Sequence, residues 1–149
     1  MTTSLWTDYL ALLTNLSTTL EKLTGIEQRK TDAVCHGNLL VVEDCMKQEQ
    51  VMSLSLRSLE QKRSKLLSQL GLDGVPLRDL QQHSPEEYEL ETKRVVEELR
   101  RQYTLFQTAS QVARDTLECN LREIQRILEQ TQGTAPAPDD LPRQTDFRA

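Results

Sequence analysis

The residues that break regular structure are bunched in this chain. Of its ten glycines and prolines, nine stand at residue 37, between 71 and 85, or between 133 and 142. Sandwiches and barrels need a turn residue about every 8 to 12 positions, so this placement excludes most β architectures. It leaves three long stretches, 1–36, 38–70 and 86–132, whose lengths suit helices; only Gly25 interrupts one of them. A length of 149 residues fits a single domain.

The expected fold class is therefore all-α: an elongated antiparallel three-helix bundle or helical hairpin. In the first stretch Trp6, Tyr9, Leu13, Leu16, Leu20 and Leu23 recur at alternating steps of three and four, the mark of a helix-packing seam, with Ser4 available as a cap. Glu27 and Lys30 take the next seam positions before Val34 restores the pattern, and Gly37-Asn38 supplies a stop. This predicts a helix over about 5–34. From Val42 the rhythm resumes through Cys45, Glu49, Met52, Leu56, Leu59, Arg63, Leu66 and Leu70, a heptad pattern that predicts a second helix over about 39–70. Its two charged members, Glu49 and Arg63, are expected to snorkel out of a narrow seam rather than pair inside it.

A linker, 71–84, follows, with room for one short turn at Leu77 to Gln82. Ser84-Pro85-Glu86-Glu87 then reads as a capping box: Ser84 as cap, Pro85 in the first helical position, Glu87 closing the box. The third helix is predicted over about 85–131, with Val95 or Val96, Leu99, Tyr103, Phe106, Ala109, Ala113, Leu117, Leu121, Ile124 and Leu128 on one face and the i,i+4 pairs Glu97–Arg101 and Glu118–Arg122 on the solvated side. Residues 132–149, with three of the five prolines, read as a flexible tail.

Charge and motifs exclude several function classes. A formal net charge of −5 with interspersed signs offers no basic stripe for nucleic acid or an anionic membrane surface. The longest apolar run, Tyr9 to Leu13, is far short of the roughly 20 residues of a membrane span, and no basic residue precedes Lys22, so a cytoplasmic protein without membrane insertion is expected. There is no phosphate loop, nucleophile elbow or metal-ligand histidine pair, so neither catalytic residues, metal nor cofactor is expected. His36 and His83 read as residues at helix ends, and Cys45 and Cys119 as small apolar residues in the packing seams. As suspects for an anion site in a helical core, Glu49 and Arg63 lie roughly 21 Å apart along one helix, too far to share a small ligand.

The expected helix lengths disagree. At 1.5 Å per residue the first two helices measure roughly 45 and 48 Å and the third roughly 69 Å. If the third starts beside the end of the second, residues near 118–131 project beyond the bundle. They carry Leu121, Ile124, Ile127 and Leu128, continuing from Leu117, an apolar stripe with no partner inside the chain. Unpartnered stripes of this kind mark binding surfaces. A self-associating coiled-coil adaptor is the alternative.

The run Asn38-x3-Val42-x2-Cys45, then Met52, Leu56-x2-Leu59-x3-Arg63-x2-Leu66-Leu67-x2-Leu70-Gly71, resembles the second-helix signature of the FlgN-type flagellar export chaperones. The preceding amphipathic helix, the Leu77-Arg-Asp-Leu80 turn and the long last helix with its polar tail are similar to that family as well. The resemblance implies a cytosolic chaperone that binds hook-filament junction proteins and delivers them to components of the flagellar type III export apparatus. It also implies that clients are bound by the C-terminal part of the last helix and the tail. The candidate client-binding residues are thus Leu117, Leu121, Ile124, Ile127 and Leu128, with Leu141 and Phe147 in the tail. A weak homodimer is compatible with this role.

Overall fold

A computed structural model describes the backbone of residues 2–134 and the side chains of residues 4–132. The described chain is all-α with no strand: α1 spans Thr2–Cys35, α2 Leu39–Gln69 and α3 Glu89–Thr134, and two 3₁₀ turns, Leu77–His83 and Glu86–Tyr88, join α2 to α3. The first helix begins at Thr2, so Ser4 lies inside it and does not cap it. The third runs to Thr134, three residues past its expected end. The remainder of the expected tail, with Leu141 and Phe147, lies outside the described residues.

Glycine sets both turns that delimit α2. Gly37 (φ 68°) and Gly71 (φ 71°) take the left-handed conformation that a Cβ disfavours. The two helix ends are closed alike. Gly37 N–H donates to Val34 O and Asn38 N–H to Ala33 O, while Gly71 N–H donates to Ser68 O and Leu72 N–H to Leu67 O. Asn38 then starts the next helix, its side chain accepting from Val41 N–H.

The expected capping box at Ser84 does not form. The Ser84 hydroxyl donates instead to Gln81 O at 2.6 Å, closing the preceding 3₁₀ turn, and the chain passes through extended Pro85 and a second 3₁₀ turn before α3 begins at Glu89. Donating the proton leaves the hydroxyl oxygen free to accept; it is extended Pro85, at ψ 145°, that separates Ser84 from the start of α3.

The three helices run up, down and up, so α1 and α3 are parallel. Trp6 Nε1 donates to the fully buried Thr92 Oγ1 at 3.0 Å near the N-termini of both helices. Far along the pair, Glu27 senses the charge of Arg114. Helix α1 lies at the centre and packs against both of its neighbours, while α2 and α3 touch each other sparsely. The seam read from the sequence is the core. Tyr9, Leu13, Leu16 and Leu20 have no exposed surface, and Val95, Val96 and Leu99 meet them from α3. At the N-terminal end of α1 the core is closed by Leu80 of the first 3₁₀ turn, 1% exposed, with Leu72, Leu77 and Tyr88 packed around it.

The seam's charged members are paired, and Glu49 and Arg63 keep 23% and 27% of their side chains exposed. Lys30, 9% exposed, contacts Glu27 at 3.2 Å and Glu49 of α2. Burial works against the ammonium, yet the two carboxylates outweigh it and hold Lys30 above its ordinary pKa. With one cation for two anions, Glu27 is pushed up by burial and by the charge of Glu49. Further along α2, Arg63 Nε meets Glu60 Oε2 at 3.2 Å beside the Tyr9 hydroxyl, and Tyr103 Oη donates to Glu60 Oε1 at 2.7 Å. Burial first, then the Glu60 carboxylate, pushes Tyr103 up to about 12. Cys45 is fully buried, as expected, but Cys119 is exposed: two residues from both Leu117 and Leu121, it lies on the side of α3 away from the seam. Arg101 pairs with Glu98 at i,i+3 rather than with Glu97, and the Glu118–Arg122 pair forms at 3.9 Å.

Three outcomes test this packing. Leu80→Ala should cost about 2–5 kcal/mol in urea denaturation, whereas Leu121→Ala should stay within about 0.5 kcal/mol; equal costs would contradict the description of the core. Lys30→Ala strands Glu27 and Glu49 in the seam and should destabilise by roughly 3 kcal/mol, and a Lys30→Met, Glu27→Leu, Glu49→Leu chain should recover most of the loss. The Tyr103 pKa is raised in the folded state, so the stability it supplies is complete below pH 10 and is lost as pH rises toward about 12. Tyr103→Phe should flatten that alkaline loss in denaturation curves taken across the window; an unchanged curve would place the phenol in solvent.

Candidate partner-binding surface

Helix α1 ends at Cys35, whereas α3 is 46 residues long and runs alongside it in the same direction. Trp6 lies level with Thr92, an offset of about 86 residues that, carried along the parallel pair, sets the end of α1 near residue 121 of α3. The last 13 or so residues of α3 therefore extend roughly 20 Å past the α1–α2 turn. Every described side chain from Glu118 to Thr131 is exposed. The surplus expected from helix lengths is present at the expected residues, although α3 is aligned with α1 rather than simply with the end of α2.

The apolar stripe of this overhang is the uncovered continuation of the core seam. Ala109 and Ala113 on the same face are buried, at 9% and 1% exposure. Leu117 is half-buried at the edge of the bundle. Beyond it Leu121 is 57%, Ile124 47% and Leu128 46% exposed, at steps of four, three and four residues from Leu117. Ile127, 51% exposed, widens the stripe on one flank. The structure thus gathers the five candidate residues of α3 onto one helical face. Arg122 pairs with Glu118 and Arg126 with Glu123, holding charge beside the stripe.

Two exposed residues at this end were not singled out from the sequence. Leu39 and Leu40, 76% and 79% exposed, open α2 at the turn where α1 ends. The signal was available, because both precede Val42, where the α2 seam starts.

The other residues singled out from the sequence stand apart from one another. Glu49 and Arg63 belong to separate pairs on the two halves of α2. His36 Nδ1 lies 2.7 Å from Asp32 O at the end of α1, and His83 is exposed at the end of its 3₁₀ turn. Among the described residues no group of histidine, cysteine or carboxylate side chains is placed to hold a metal ion, and no helix is long and apolar enough to cross a membrane. The arrangement presents an apolar, helix-shaped surface on a rigid three-helix base. Comparison with protein families, with curated proteins and with solved structures finds no match.

Proposed function

We propose that this chain is a cytoplasmic secretion chaperone that binds hook-filament junction proteins of the flagellum and hands them to the type III export apparatus, acting by binding and not by catalysis. The supporting observation is the overhang: an apolar stripe continuous with the core seam and exposed from Leu121 onward. A client's amphipathic terminal helix laid along the stripe takes the place that α1 holds further down α3, so the contact reuses helix-in-groove packing already present in the bundle. Covering that helix prevents the client from self-associating before export. The stripe is short, which suits a complex that must later release its cargo.

Leu121→Asp with Ile124→Asp is the direct test, read by titration calorimetry against a purified junction protein. Two central apolar positions are lost, so affinity should fall by at least about thirtyfold while far-ultraviolet circular dichroism stays that of the parent. Unaltered affinity would remove the overhang from client binding. Light scattering on the unmutated chain separates the alternative: a tight dimer indifferent to junction proteins identifies a self-associating coiled-coil adaptor.

A further inference from the structure

Gly25 stands in the middle of α1, where glycine costs roughly 0.5–1 kcal/mol relative to alanine. The backbone does not require it, because the left-handed glycines are Gly37, Gly71 and Gly74. Packing does not require it either: a Cβ built at Gly25 meets no atom within 4 Å. The missing side chain opens onto a surface groove of about 620 Å³ between α1 and α2.

The groove has a distinct chemistry. Ile26, Val51 and Met52 supply apolar surface, and Val51 is 63% exposed. Lys22, Arg29 and Lys47 line it with their stems, and no carboxylate is among the lining residues. Arg29 is held in place by Asp44 at 3.4 Å and Gln48 at 3.2 Å. Lys22 and Lys47 make no ion pair among the described residues. The two lysines are a local excess of positive charge on a chain of net charge −5.

We propose that this groove docks an amphipathic helix of another protein, one whose apolar face is flanked by carboxylates. The apolar side chains receive the partner's apolar face, and Lys22 and Lys47 meet its acidic flanks. A neutral or basic helix would leave those two lysines uncompensated. The bare backbone at Gly25 lets the partner approach closely. The site lies on α1 and α2, about 15 Å short of the end of α1, and does not depend on the reading of the overhang.

The test uses the full chain and two synthetic fluorescent helices, each with leucines along one face, the other positions being glutamate in one and lysine in the other. Fluorescence anisotropy should show saturable binding of the glutamate helix, weakened by salt, and none of the lysine helix. Gly25→Leu fills the open space and should weaken the glutamate helix by at least about tenfold without lowering the melting temperature; Gly25→Ala should raise that temperature. Leu121→Asp with Ile124→Asp should leave this binding unchanged, which separates the groove from the overhang. Equal binding of both probes, no saturable binding of the glutamate helix, a destabilised Gly25→Ala chain, or loss of binding only in the overhang variant would each overturn the proposal. So would a dimer in sedimentation that Gly25→Leu makes monomeric, since the occupant would then be a second copy.

Discussion

Burial of α1 on two sides is the constraint from which the rest of the structure follows. Its side chains from Trp6 to Ile26 fill the space between two neighbours that barely meet each other. Helix α2 contributes a single fully buried residue, Cys45, and leans on α1 through partly covered leucines. Among the described residues α1 is the main surface against which α2 and α3 bury their stripes, with the 3₁₀ turns adding to it at one end of α3. Wherever α1 stops, packing stops, and the exposure of α3 beyond that level is a direct result of the chain turning at Gly37.

The charges inside the seam act on alignment more than on stability. A buried ion pair recovers little beyond the cost of stripping its members of water, but leaving one member unpaired is expensive. Sliding α2 by one turn along α1 would take Glu49 from Lys30, and sliding α3 along α2 would take Tyr103 from Glu60. These contacts fix the helices lengthwise, where a ladder of leucines alone permits several positions. They thereby also fix how much of α3 is left over.

The sequence shows the fold well where a property repeats along one helix and poorly where it depends on a second one. The α1 seam, the Gly37 stop and the unpartnered stripe from Leu121 to Leu128 are all periodic or positional features, and the structure reproduces them. The fate of Glu49 and Arg63 was hidden, because snorkelling and pairing produce the same spacing and differ only in what stands opposite. Cys119 reads as a seam residue by its type, yet a spacing of two from both Leu117 and Leu121 turns it to the opposite side of the helix. The start of α3 depended on Pro85, which stays extended after the 3₁₀ turn instead of opening a helix, an option that a cap motif does not reveal. The groove at Gly25 was marked only by an isolated glycine, and its purpose becomes readable once α2 lies beside it.

The two ends of the bundle differ in how their helices are held. Near the N-terminus of α1, Leu80 and its neighbours close the core, while at the other end α3 carries pairs along its own surface. An isolated helix of about 13 residues is marginal in water, so this segment depends on the packed part of α3 for its winding. Any protein that grips the stripe must therefore also complete the helix. Helix propensity at positions facing away from the stripe, such as Arg126, then acts as a dial on affinity. It sets the fraction of time the segment is wound and ready, without ever touching what it holds.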